Sequence, residues 1–521
     1  MGKVQDIFRL AVAVLLSAII ANGAMGYDFV AGGIYYDINS DGRSVTVTND
    51  GADLLLTFSD LYTDTVTIPS QVDNAGKTYN VTAIGKGAFL KCWKLYRVNL
   101  PNTVQAIGDS AFCFCVKLTT VNIPEGITSI GNFTFDHCYV MSNLQLPRTL
   151  KTIGSNAFNA GCADTTLTLP NSLESIGDYA FACCGNLRSI DFGRGLKYIG
   201  PLAFMYDRGL LGLELPRSLE EIDDQAFMGC TGLTSVMIPP SVTRIGNGVF
   251  QACENLTRLT VDHRSKTFDE RDGCNGIIET ATGTLVAGCI TTVIPPTVTA
   301  LGDGAFRECI GLTSIDIPSS VTSIGDNTFD LCYYLESITL PPSLERIGES
   351  AFAGCEVLVN LTIPDAVTSI GDYAFYDCPW LDYVTLGRGL QYIGAHCFDG
   401  CCLVTVTCRS IVPPVMADIT SFQRYGENST ATLRVPAIAL PKYRTTDYWN
   451  LFPVIVAWGD INGDDDVGID DVTDLIDLLL MGDAQAVWRI ADMDDDGQVT
   501  ISDVTMLIDE LLNETHSRNK K

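Results

Sequence analysis

The sequence predicts a right-handed β-solenoid of stacked 23-residue turns, capped at both ends, followed by a small α-helical module of two acidic loops. Three observations carry this. Phenylalanines fall at 89, 112, 135, 158, 181, 204, 227 and 250, then at 306, 329, 352, 375 and 398, every step within each run being 23. The same phrase surrounds each one, as in Ile363-Pro364-Asp365-Ala366-Val367-Thr368-Ser369-Ile370-Gly371-Asp372-Tyr373-Ala374-Phe375-Tyr376-Asp377-Cys378. An Asp-rich loop followed by an amphipathic run occurs twice near the C-terminus, from Asp460 and from Asp492. A fixed period of this size marks units that bury their apolar faces only by stacking on neighbours.

A chain of 521 residues exceeds what one compact core manages, but a solenoid grows without that limit. With 46% hydrophobic and 18% charged residues the chain is core-rich rather than disordered. A net charge of −29 argues against nucleic acid, which needs a basic stripe. Much of the charge is local: residues 460–514 hold 17 acidic side chains and one basic, Arg489. Such a cluster is a repelling tail or a cation site.

Residues 1–26 read as a signal peptide: Lys3 and Arg9, an apolar run Leu10–Ile20, then Ala21, Gly23, Ala24 and Gly26 at the cleavage region. That run, like Leu451–Trp458, is too short to span a bilayer. The expectation is a secreted or cell-surface protein without a membrane span of its own. Residues 27–80 lack the repeat but hold β-rich runs such as Ser44-Val45-Thr46-Val47-Thr48, and form an N-terminal cap over the unpaired end of the stack.

Residues 81–404 are the repeats. Leu95-x-x-Val98-x-Leu100 and its copies alternate as a half-buried strand does, and a proline stops most of them. The glycine after each isoleucine (Gly85, Gly108, Gly131) suits a corner with positive φ. Eleven cysteines, from Cys92 to Cys401, lie three residues after an anchor phenylalanine and are expected as a column of free, packed thiols. Asp207 replaces one cysteine, and Asp223 replaces one glycine. Between Phe250 and Phe306 the run breaks; residues near 262–290 predict a hairpin around Thr282-Gly283, either a binding feature or a degenerate pair of turns. Cys274 and Cys289 flank it and could bridge. Residues 405–458, rich in aromatics such as Tyr443, Trp449 and Phe452, form the C-terminal cap.

Residues 459–514 form the acidic module, before a polar tail at 515–521. Oxygen donors at positions 1, 3, 5 and 12 of a twelve-residue loop, with an apolar residue at 8, are what calcium requires. The first loop offers Asp460, Asn462, Asp464, Asp466 and Asp471; the second offers Asp492, Asp494, Asp496, Gln498 and Asp503. Each opens a helix with one apolar face, Val472, Leu475, Ile476 and Leu479, then Val504, Leu507, Ile508 and Leu511. Two calcium ions are expected, with folding linked to them. Asp465 stands where a glycine normally makes the turn, so the second loop is expected to bind more tightly.

The repeats resemble the BspA-like (Treponema pallidum-type) leucine-rich-repeat family of bacterial surface proteins, over residues 27 to about 458. The ending resembles a type I dockerin, a duplicated calcium loop–helix that docks on a cohesin module. The first resemblance implies an exported adhesion or interaction protein without catalysis. The second implies that the ten residues named above bind two calcium ions and that 459–514 engages a cohesin-type partner. Positions 10 and 11, which help dockerins choose a cohesin, are Ile469-Asp470 and Ile501-Ser502, unlike the common small-hydroxyl pair.

The outward strand positions Asn99, Asn122, Gln145, Thr168, Asp191, Glu214, Thr260, Asp316, Thr339, Thr362 and Thr385 are short or polar, with no aromatic stripe for sugars. They suit a host or microbial surface protein or glycan, or a solvated face. None of His137, His263, His396 and His516 sits in a metal or triad pattern, so an enzyme is not expected. Two alternatives stand beside the adhesive reading: a component of a polysaccharide-degrading, cellulosome-like complex, and a calcium module that is purely a structural cap.

Overall fold

The computed structural model describes residues 26–50, 59–462, 464, 467–481, 491, 493 and 498–518. The leader expected over 1–26 therefore lies, apart from Gly26, outside the described residues. The chain divides into two compact units, Met1–Asp269 and Glu270–Lys521.

In the first unit, strands Phe29–Ala31, Ile34–Ile38 and Ser44–Thr48 form an antiparallel meander. Ser44–Thr48 then pairs in parallel with Lys77–Ile84, which in turn carries Ala106–Ile107. The N-terminal segment thus covers the first turn by extending its sheet. On another side, Asp64–Thr67 lies parallel to Leu95–Asn99, and Tyr62 packs on Phe89 with centroids 4.7 Å apart. Pairing of the coil's kind therefore begins before residue 81.

Each turn has three sides. One carries two-residue strands ending in the isoleucine of the recurring phrase, paired in parallel at an offset of 23, as Ser129 with Thr152 and Thr152 with Ser175. A second carries the longer strands, such as Thr166–Thr168 beside Ser189–Asp191 and Ser235–Ile238 beside Arg258–Val261. The third holds the anchor phenylalanine in a run of turns whose amides donate to the next coil: Ser110 N to Asn132 O (2.8 Å), Phe112 N to Thr134 O (2.9 Å) and Phe114 N to Asp136 O (2.8 Å). The rings stack face to face through the interior, Phe89 to Phe250 and Phe306 to Phe398, at centroid spacings of 5.0–6.0 Å.

The corner glycines need a correction. Gly85, Gly108 and Gly131 do not have positive φ. They are needed because turns touch there: a Cβ on Gly108 would lie 2.6 Å from Lys86 N, and one on Gly246 would lie 2.4 Å from Asp224 N. Positive φ falls instead two residues before and two after each anchor phenylalanine, mostly on residues with side chains. Ser110 and Phe114 flank Phe112, Tyr179 and Cys183 flank Phe181, and Asn327 and Leu331 flank Phe329. A left-handed residue costs about 1 kcal/mol or more, and the inter-turn amide bonds at these residues offset it.

In the second unit the hairpin exists, Ile277–Glu279 against Thr284–Ala287. Its second strand pairs in parallel with Ala300–Leu301, so it serves as a rung of the ladder that continues through Ser323–Ile324, Arg346–Ile347, Ser369–Ile370 and Tyr392–Ile393. Beyond Val406 the sequence period is lost but the architecture is not. Thr405–Cys408, Thr432–Val435 and Val454–Ala457 add parallel rungs to Tyr383–Leu386. Phe422 continues the ring stack on Phe398 (5.0 Å), and Trp449, fully buried, donates its indole N–H to Pro414 O (2.8 Å). Among the described residues no helix is long and apolar enough to cross a membrane.

Candidate functional site

The acidic module is organised by two buried aspartates. Helices Ile469–Met481 and Ile501–Arg518 pack through Val472, Leu475, Val504 and Leu507, with Trp458, Ile461 and Met493 completing the core. Asp471 Oδ1 accepts the amides of Ile461 (2.7 Å) and Asn462 (3.2 Å), and its Oδ2 accepts that of Gly468 (2.7 Å). Asp503 repeats the arrangement 32 residues later, Oδ1 accepting from Met493 N (2.6 Å) and Oδ2 from Thr500 N (2.7 Å). Each carboxylate ties the start of its loop to its end at a helix N-terminus, where the helix dipole favours a negative charge.

Asp460 is also buried, and its Oδ1 and Asn462 Oδ1 both accept Asp464 N, at 3.1 and 2.8 Å. Gln498 is exposed. Asp466, Asp492, Asp494 and Asp496 lie outside the described residues. In donor chemistry the described side chains suit a hard cation: they are all-oxygen, with Asp460, Asp471 and Asp503 buried in a segment carrying one basic residue. Among the described residues no three His, Cys, Asp or Glu side chains converge closely enough to hold a metal ion.

The interior offers thiols in quantity. All nineteen cysteines are thiols rather than disulfide halves; the Sγ atoms of Cys274 and Cys289 donate to Gly276 O (3.4 Å) and Asn275 O (3.5 Å) rather than bridging. In the ladder nine of the eleven thiols donate to the anchor-phenylalanine carbonyl of the preceding turn, for example Cys115 to Phe89 O (2.9 Å), Cys230 to Phe204 O (3.2 Å) and Cys401 to Phe375 O (3.2 Å). Burial pushes Cys115, Cys230 and Cys332 well above the usual thiol range, which holds them as inert hydrogen-bond donors. Asp207, in the place of a ladder cysteine, is fully buried. Its Oδ1 accepts Cys184 N (2.7 Å) and its Oδ2 has no hydrogen-bond partner, so burial pushes its carboxyl far up. The residue that replaces a ladder cysteine is a desolvated acid in the stack.

The histidines face carboxylates, His137 Nδ1 on Asp136 Oδ1 at 2.7 Å and His396 Nδ1 on Asp399 Oδ2 at 2.9 Å. Their rings stack on the adjacent turns, on Phe114 at 4.4 Å and Tyr373 at 4.8 Å. His263 is exposed beside Asp262, and the side chain of His516 lies outside the described residues. The His137 and His396 rings thus link adjacent turns by stacking while each holds a carboxylate of its own turn.

The outward strand columns are exposed or half-exposed from Asn99 to Thr362, as expected. Thr385 is not: it is 5% exposed, and Thr407 and Arg434 in register beside it are buried as well. The burial falls where the column passes from the repeats into the cap strands. In the first unit the strand ladder is interrupted at 211–214, where Leu213 makes only an isolated bridge to Val236. Gly212 leaves open space there, in a concavity of about 850 Å³ between Arg188, Asp191, Glu214 and Arg258. A further feature has no counterpart in the strand columns: Tyr334 and Trp380, each just before a buried leucine, are 57% and 64% exposed. The 23-residue spacing of Tyr334, Val357 and Trp380 is the signal by which the sequence carries it.

The family profile of the BspA type leucine rich repeat region matches over residues 57–165, 82–210, 153–272 and 289–415. No protein among the curated sequences matches. Among solved structures, a leucine rich cell surface protein from Faecalibacterium prausnitzii is 27% identical, with a TM-score of 0.54 over 72% of this chain and 92% of its own. A leucine-rich repeat protein from Bacteroides ovatus is 26% identical, with a TM-score of 0.52 over 83% of this chain and 100% of its own. The pneumococcal vaccine antigen PcpA shares the fold, at 18% identity and a TM-score of 0.53 over 82% and 98% of the two chains. With a repeat profile over more than half its length and the stacked geometry that profile encodes, this chain belongs to the BspA-type leucine-rich-repeat family.

Proposed function

We propose that this chain is a non-catalytic, exported surface or adhesion protein whose repeats present a binding face and whose C-terminal module is a calcium-binding dockerin that docks to a cohesin-type partner. The observation that carries the first half is how stacking uses the repeat: phenylalanine, isoleucine, leucine and thiol side chains fill the interior, and what faces outward is a regular array. The likeness to a cell surface protein of F. prausnitzii supports the location. The second half rests on the loop duplication and on Asp471 and Asp503, which occupy the same place in the two loops. Two calcium ions would be held by Asp460, Asn462, Asp464, Asp466 and Asp471 and by Asp492, Asp494, Asp496, Gln498 and Asp503. Each ion would neutralise clustered carboxylates and couple loop closure to helix packing.

The test uses the mature chain as bait on cell-envelope and secreted fractions, with calcium and then with chelator. Capture through 459–514 that chelator releases is the expected result. A partner retained without calcium, or after deletion of 459–521, refutes docking through that module. The specific competing reading, a calcium module that only caps the coil, predicts instead that this deletion lowers the melting temperature of the repeats and removes no partner.

A further inference from the structure

We propose that Tyr334 and Trp380 form an aromatic platform that binds a neutral β-linked polysaccharide running along the coil axis. This rests on the surface-binding reading above and names a ligand class for it. The two rings are among the most exposed large side chains of the repeats, and neither stacks on another ring of the described residues. Leaving a tryptophan 64% in water forgoes the burial that Trp449, fully enclosed, obtains in the same unit.

Register fixes their separation. They occupy the same column two turns apart, with the smaller, half-buried Val357 between them. Parallel turns lie about 4.8 Å apart, so the rings stand roughly 10 Å from each other, near the length of two pyranose rings joined by an equatorial linkage. Alternate sugars of such a chain would meet the two rings face on, and the intervening sugar would pass over Val357. Rigid turns hold this spacing before any ligand arrives, which lowers the ordering cost of binding.

The flanking chemistry selects the ligand. Glu336, Asn360 and Asp382 lie in the adjoining strand columns, the first two exposed and the third half-exposed. Carboxylates and an amide accept and donate to vicinal hydroxyls. Between 333 and 383 the sole basic residue is Arg346, which pairs with Asp326 at 3.6 Å. Uronic-acid chains, phosphates and acidic peptides would therefore be repelled, whereas a neutral glycan would not.

The full-length chain is titrated with cellohexaose and with xylohexaose by calorimetry and by tryptophan fluorescence. Saturable binding to at least one is expected, with W380A and Y334A each weakening it about tenfold or more and W380F retaining most of it. L211A, which alters an equally exposed side chain in the other unit, should bind as wild type. Unchanged melting temperatures confirm that these surface variants fold. Absence of saturable binding to both sugars, or binding indifferent to W380A and Y334A, overturns the proposal. Binding of a lysine-rich peptide at the same two residues without sugar binding overturns it in favour of a cationic protein partner. If the wild-type chain binds neither sugar while envelope capture by the bait persists in both wild type and W380A/Y334A, this inference fails and the surface-binding reading stands.

Discussion

Truncating Phe181 to alanine separates the work of burial from the work of stacking. Phe181 is fully buried between Phe158 and Phe204, at centroid distances of 5.2 and 5.5 Å with near-parallel rings. Phe250 ends its run: it is 7% exposed and stacks on Phe227 alone, at 6.0 Å. Removing a buried phenylalanine costs about 3–5 kcal/mol, and each aromatic pair adds about 0.5–1.5 kcal/mol beyond area. F181A should therefore cost about 1–2 kcal/mol more than F250A, since it loses one more stacked partner and leaves a more enclosed cavity. Urea unfolding measures the totals, and hydrogen exchange locates the damage. Because turns couple only to neighbours, protection should fall between about residues 158 and 227 and stay unchanged beyond Glu270. Equal costs for the two variants, or exchange that rises evenly through both units, would refute the picture of a one-dimensional ring stack.

Three further outcomes follow from the geometry. G246A should destabilise by about 1–3 kcal/mol because its Cβ meets the Asp224 backbone at 2.4 Å, whereas G212A, with open space around it, should shift urea stability by less than about 0.5 kcal/mol. Asp207 keeps its proton when folded, so its contribution is fully present below the unfolded carboxyl value near 4 and falls as pH rises through it. The slope approaches about 1.4 kcal/mol per pH unit, and D207N should flatten it in unfolding curves taken from pH 3 to 7. D503A strands the amides of Met493 and Thr500 and should remove about 2–4 kcal/mol from the acidic module, while D503N, which keeps one acceptor, costs less. Exchange protection of 501–518, measured with calcium and with chelator, reads this out, and no difference between D503A and wild type would refute the tie.

The residues that stack could be read without coordinates, because the phrase recurring every 23 residues leaves few ways to bury Phe112, Cys115, Leu118 and Ile123 except in columns. The two helices that follow the acidic loops were equally legible, from the apolar face each carries. Asp471 and Asp503 were legible as loop residues but not in their part as acceptors of loop amides, which depends on where the chain folds back. Composition cannot say whether a glycine is there for its φ or for its missing Cβ. Gly108 turned out to be the second case because two backbones touch, and the positive φ went to Ser110 and Phe114, held by amides of the next turn.

The sequence by itself determined the period, the interior columns and the acidic loops, since each is a pattern along the chain that spacing alone expresses. Only the tertiary structure decided what depends on neighbours distant in the chain. Three rungs continue past the end of the repeat because Phe422 and Trp449 extend the ring stack without the phrase. Thr385 is buried together with Thr407 and Arg434, its in-register neighbours on the cap strands. Asp207 is a desolvated acid because the turns on either side exclude water. Tyr334 and Trp380 stand in water because nothing among the described residues covers their rings. Burial and desolvation are properties of surroundings, and surroundings are assembled only when the turns meet.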